Sequence, residues 1–292
     1  MASSSNHHPT SRPSHRAAAD TPASQVPISK REAEDVESRS SPRAPVIYEI
    51  VRRIGEDEMA RPVVSLWWSG LAAGLSISFS LLAQAVLQQH LDPTGWRPLV
   101  TSLGYSIGFL IVVLARQQLF TENTITVVLP VMADWSRDNL GRAARLWVVV
   151  LAANFAGTLF ASAFCSFTPA VSPELKHEMI EISRHVLAYG WSASVIKAIP
   201  AGFLIAAMVW LLPSAEGGQV WIIVVMTWLI SAGGFLHIVA GSAEAFMLMW
   251  DGAAGVQQVF GGFIAPVLIG NVLGGTAMFA LLTYAQVMKE MQ

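Results

Sequence analysis

The sequence predicts an all-α polytopic membrane protein. Three observations carry that expectation: charge is scarce, apolar runs recur at membrane-spanning length, and two of those runs are interrupted by polar residues at matching places. Of 292 residues, 53% are hydrophobic and 13% charged, with a mean hydropathy of +0.49. Soluble domains usually carry about a quarter charged residues, so this chain has too little polar surface to coat a globule in water. The net charge of −2 leaves no basic face for nucleic acid outside the N-terminal segment. The one cysteine, Cys165, excludes an intramolecular disulfide framework.

Residues 1–45 are rich in Ser, Pro, His, Arg and Glu and nearly free of large apolar side chains. Such a segment cannot bury enough surface to offset its ordering entropy, and a disordered tail is expected. It also lacks the basic-then-apolar layout of a secretory signal, which leaves membrane insertion to the first hydrophobic span. Residues 46–61 place Ile50, Ile54 and Met59 among charges, the pattern of a short amphipathic helix on the membrane face. Residues 62–292 then form the transmembrane domain.

A helix needs about 20 apolar residues to cross the hydrocarbon core. Candidate spans run over Val63 to Gln88, Pro98 to Val131, Ala143 to Phe167, Trp191 to Leu212, Val220 to Trp250 and Phe263 to Met288. Six crossings put both termini on one side. Arg52, Arg53, Arg61, Arg137, Arg142, Arg145 and Lys289 fall on that side, against Arg97, Lys176 and Arg184 on the other, so the positive-inside rule makes the termini cytoplasmic. Gly70 with Gly74, Gly104 with Gly108, and Gly270 with Gly274 recur at helical spacing; tight helix packing in lipid accounts for them. Pro200 and Pro266 imply kinks.

The second and fifth spans are too long for one straight crossing. In the second, Arg116 to Asn123 separates two apolar stretches; in the fifth, Gly233 to His237 leads on to Glu244. Ionisable groups and non-helical backbone at that depth belong against protein or an aqueous cavity, not lipid. Each break lies in the middle span of a three-span half, and halves with an odd number of spans are antiparallel. Paired broken helices in two inverted three-helix repeats point to a midplane transport site, with half-helix N-termini offering N–H groups to an anion. No metal-ligand cluster or phosphate-binding glycine loop is apparent, and no cofactor is expected.

At these residues the chain resembles the formate/nitrite transporter family. Leu119-Phe120-Thr121 looks like the family's loop in the second helix. Gly234-Phe235-Leu236-His237-Ile238-Val239-Ala240 looks like its segment in the fifth, and Pro266 to Gly275 is similar to its sixth helix. The likeness runs from about Tyr48 to Gln286. It implies an aquaporin-like fold in a homopentamer of the bacterial inner membrane, each protomer with its own pore for small monovalent weak-acid anions. By the same resemblance His237 is the central pore histidine, Thr121 the loop threonine that can face it, and Leu119 with Phe120 the apolar constriction, with Phe235 also at the pore. An apolar neck favours a neutral species, and a histidine beside it can lend or hold a proton.

Two departures stand beside the likeness. Glu122-Asn123 follows the threonine where small hydroxyl residues are usual, and Glu244 adds a carboxylate to the other broken helix. Deep carboxylates repel anions unless protonated or paired; Arg116 and Lys197 are candidate charge partners. Three readings follow: a weak-acid anion channel or transporter, alone or with a proton; a cation or neutral-solute pathway using Glu122 and Glu244; and a membrane protein that kept the fold with a closed pore. Ser242, five residues from His237, invites a protease reading, but serine catalysis also needs an oriented base and an oxyanion hole, and no enzyme is expected.

Overall fold

The computed structural model of the chain describes residues 29–32 and 42–290. The chain divides into two units, residues 1–41 and 42–292. In the first, residues 30–32 form one helical turn in which Ser29 and Glu32 each donate a backbone N–H to the other's side chain, a reciprocal cap. Of the tail expected over residues 1–45, the rest up to residue 41 lies outside the described residues, and Ala44 and Pro45 belong instead to the second unit's first helix.

That helix, α1 (Ala44–Ala60), carries a proline in its first turn, where a missing N–H costs nothing. Its buried face is Ile47, Tyr48, Val51, Gly55 and Met59, a four-residue stride. The face expected from sequence, Ile50-Ile54-Met59, is therefore rotated: Ile50 is exposed. Protein, not solvent alone, selects the face, because α1 packs with Ile125, Leu129, Ala206, Trp210 and Val287 in one cluster. Gly55 is required there; a Cβ would collide with the Thr126 carbonyl oxygen. The outer face is held by Glu49 with Arg52 and Arg53, and by Glu56 with Arg52.

Among the described residues, five helices are long and apolar enough to cross a membrane: α2 (Val63–His90), α3 (Arg97–Leu114), α5 (Arg137–Phe167), α7 (Trp191–Leu211) and α10 (Gln258–Val287). Among them lie shorter helices: α4 (Asn123–Ala133), α6 (Pro173–Ser183), α8 (Gln219–Ala232) and α9 (Ile238–Trp250). The second expected span is thus α3 plus α4, and the fifth α8 plus α9. The segment 240–244, read from sequence as part of the second interruption, is helical; that break covers only 233–237.

The small residues set the closest contacts. A Cβ on Gly70 would stand 2.8 Å from the Ala153 Cβ, and one on Gly74 would strike the Asn154 carbonyl. On α10, Gly270 and Gly274 meet the α7 backbone at Val195 and Ile199 in the same way, and Gly104 and Gly108 of α3 meet α2. Three helix pairs, α2 with α5, α2 with α3, and α7 with α10, therefore pack backbone to backbone. This closeness positions the two breaks.

Candidate functional site

Both breaks begin with the same C-terminal cap. Helix α3 ends where Arg116 takes the left-handed conformation (φ 52°) and Gln117 N–H returns to the Val112 carbonyl at 2.9 Å. Helix α8 ends where Gly234 takes it (φ 61°) and Phe235 N–H returns to the Ile230 carbonyl at 3.0 Å. Glycine adopts this geometry without penalty, whereas a side chain costs about 1 kcal/mol or more. The first break tolerates arginine because Arg116 points outward and is exposed.

Two asparagines then hold the non-helical backbone. Asn154 of α5 donates to the carbonyls of Gly70 (2.8 Å) and Gln118 (2.9 Å) and accepts from Phe120 N–H at 2.9 Å. Asn271 of α10 donates to Ala198 (2.7 Å) and Leu236 (2.9 Å) and accepts from Ile238 N–H at 2.8 Å. Both are fully buried. Sequence reading passed over them; the repeated Asn-x-x-Gly of 154–157 and 271–274 was the available signal.

The breaks meet at Thr121 and His237. The Thr121 Oγ1 lies 2.8 Å from His237 Nε2, and both residues are essentially inaccessible. His237 also caps α9: its Nδ1 accepts the Ala240 N–H at 3.2 Å. A nitrogen that accepts a backbone N–H carries no proton, so the proton sits on Nε2 and is donated to Thr121. The Phe109 ring meets the imidazole edge-on, centroids 5.1 Å apart.

Away from α1, a cavity of about 580 Å³ descends from Gln88, Thr94 and Arg97 to Phe235, Leu236 and His237, with Glu244 in its wall. Glu244 is 3% exposed, and its Oε2 meets no hydrogen-bond donor among the described residues. The nearest basic nitrogen is His185 Nδ1 at 3.6 Å. Lys197 is not its partner: the ammonium lies 3.5 Å from the Gly234 carbonyl and 4.6 Å from the Tyr189 ring centre. Ser242 is likewise not paired with His237, since its hydroxyl binds Thr158 at 2.8 Å and the Val239 carbonyl at 2.6 Å.

On the α1 side of Thr121, Leu119 and Phe120 are fully buried, and Phe120 stacks edge-on with Trp147 at 5.7 Å. Below them lies a polar knot. Asn123 donates to Gln118 at 3.1 Å, Gln118 donates to Glu58 Oε1 at 3.1 Å, and Thr126 donates to Glu58 Oε2 at 2.9 Å. Glu58 is a residue of α1 that sequence reading left to solvent; only docking of that helix brings it here. Burial pushes its carboxyl above the usual carboxylate range despite the donors from Thr126 and Gln118. Glu122, beside this knot, has one buried oxygen without a donor among the described residues, and Arg116 forms no ion pair with it.

Residues 45–285 match the family model described as "Formate/nitrite transporter". Among curated proteins, the inner membrane protein YfdC of Escherichia coli (strain K12) is 42% identical over 255 residues, covering 87% of this chain and 82% of that protein. The formate channel FocA of Haemophilus influenzae is 28% identical over 187 residues, 62% of this chain and 64% of that one. A solved structure titled "Pentameric formate channel with formate bound" superposes with a TM-score of 0.66 at 19% identity, covering 78% of this chain and 98% of its own.

Proposed function

Because the chain belongs to the formate/nitrite transporter family, we propose that it passes a small monovalent weak-acid anion of the formate or nitrite kind across the inner membrane, linked to a proton. The observation that carries this reading is the 2.8 Å contact between Thr121 and His237 at the floor of the cavity. It joins two helix interruptions at one point, with an apolar neck of Leu119 and Phe120 beyond it. An anion that takes a proton before the neck sheds the charge that makes dehydration costly.

The architecture we infer has six crossings in two inverted three-helix repeats, aquaporin-like, with both termini cytoplasmic. The matching bonds of Asn154 and Asn271 and the matching caps at Arg116 and Gly234 support it. Assembly as a homopentamer rests on the pentameric formate channel that the fold resembles. The pathway runs from the cavity past Glu244 and Phe235 to His237 and Thr121, then Phe120 and Leu119, and leaves by Asn123 and Glu122.

A second reading has a specific observation behind it. Glu244 lines the cavity and Glu122 lies past the neck, each with a buried oxygen lacking a donor among the described residues. Carboxylates at both ends suit a cation or a neutral solute. Flux of formate, nitrite and a monovalent cation into proteoliposomes at two pH values separates the readings. Anion uptake that rises with acidity, and falls in His237→Asn, supports the first. Cation flux that Glu122→Gln and Glu244→Gln abolish, without anion uptake, overturns it.

A further inference from the structure

The cavity holds a pair of side chains that the transport path just described does not use as a pair. Glu244, on α9, is buried against the cavity with Oε2 lacking a hydrogen-bond donor among the described residues. His185, in the turn Arg184–Leu187, places Nδ1 3.6 Å from that oxygen, yet its side chain is 42% exposed. Its Nδ1 lies 2.8 Å from the Ile182 carbonyl, which fixes a proton on Nδ1 and leaves Nε2 free to accept another. The pair thus joins a buried acid to a partly exposed imidazole.

Two cations stand near the pair without forming an ion pair with Glu244: Arg97 in the cavity wall, and Lys197, whose ammonium lies 4.6 Å from the Tyr189 ring centre. The other titratable groups lining the cavity are Arg97, Tyr105, Tyr189 and His237. Arg97 donates from one guanidinium nitrogen to the Gln88 carbonyl while its Nε meets no acceptor among the described residues, and both His237 nitrogens are engaged. On α6, Glu178 accepts from Gln88 at 3.0 Å, and Lys176 donates to the Ser166 carbonyl at 3.2 Å. From α5, the groups bonded to α9 are the hydroxyls of Thr158, Ser162 and Ser166, and the α10 segment Gln258–Ile264 has no titratable residue.

We propose that Glu244 and His185 form a coupled charge pair that sets the charge at this point of the cavity wall and makes anion entry depend on a proton. With His185 neutral, the carboxylate has no ion-pair partner and repels an arriving anion. A proton from water at the cavity mouth adds to Nε2, breaking one O–H bond and forming one N–H bond. The resulting imidazolium cancels Glu244, and a small carboxylate or nitrite-like anion can then pass to His237. The part played by the anion rests on the weak-acid transport reading; the coupling of the two side chains does not.

The test uses full-length protein in proteoliposomes and reads formate uptake against pH on the cavity side. His185→Gln is expected to lose the acid stimulation of uptake and to run on the order of tenfold slower at the acid end, the penalty of an uncancelled charge a few ångströms from the path. Glu244→Gln removes that penalty and flattens the pH response, and the double variant behaves as Glu244→Gln does. A His185→Gln protein that keeps wild-type acid stimulation overturns the proposal. Infrared difference spectra of purified protein supply a readout independent of transport. The carboxyl signal that Glu244→Gln removes should change its pH response in His185→Gln. An unchanged response overturns the pair whatever the flux. A coupled response in protein that carries no formate or nitrite upholds the pair and overturns the transport reading instead.

Discussion

Asn154 and Asn271 lie 117 positions apart on different helices and make the same three hydrogen bonds. Each ties the carbonyl of a packed neighbouring helix to the carbonyl and N–H of an interrupted one. An asparagine amide offers both donors and an acceptor at one point, which backbone leaving a helix in a water-poor interior demands. Each break has one further tie to a neighbouring helix, Gln118 N–H to the Ser69 hydroxyl and Leu236 N–H to the Lys197 carbonyl, both at 3.1 Å.

Replacing either asparagine with alanine strands three buried backbone groups. The expected loss is about 3 kcal/mol in each variant, read as a lower melting temperature in detergent together with lost uptake. A variant that melts like wild type would show that the loops have other support.

Thr121→Val leaves the His237 N–H unpaired at a site with no solvent. A loss of roughly 1–3 kcal/mol is expected, with formate uptake reduced, whereas Thr121→Ser keeps the hydroxyl and most of the uptake. Equal uptake by the Val and Ser variants would remove Thr121 from the pathway.

Arg116 and Gly234 occupy the same left-handed position in their two caps, at opposite costs. Arg116→Gly should stabilise the protein by about 1 kcal/mol and Gly234→Ala destabilise it by a similar amount. Thermal melting of the two variants side by side gives the sign of each.

Glu58 makes the docking of α1 depend on pH. Its carboxyl is raised by burial, so the docked state retains the proton at pH values where a free carboxylate has lost it. Its contribution is fully present below the ordinary carboxylate range and is lost as pH rises through the raised value. Protease cleavage within α1 should therefore quicken across that window, and Glu58→Gln, which stays neutral, should flatten the response. A Glu58→Gln protein with the wild-type pH response removes Glu58 as the cause.

Much of the site was legible before any fold. The breaks stand out in the amino-acid order because Arg116 to Asn123 and Gly233 to His237 interrupt runs that lipid would otherwise accept. Three features were not legible in it. The buried face of α1 was misplaced because its amphipathic stripe is ambiguous until a partner surface exists. Glu58 reached the polar knot from 60 positions before Gln118. Arg116 and Lys197 were the candidate charge partners for the two glutamates, whereas the group that reaches Glu244 is His185, which arrives from another loop.

Sequence by itself determined the apolar helical character, the places of the two interruptions and the residue types that fill them, because hydropathy and backbone satisfaction are local properties of a chain in lipid. Only the tertiary structure decided which polar groups face one another: Thr121 with His237, Asn154 and Asn271 with the loops, His185 with Glu244. Those pairings depend on how closely α2 meets α5 and α7 meets α10, and that distance is set by side-chain volumes on separate helices, which no single segment encodes.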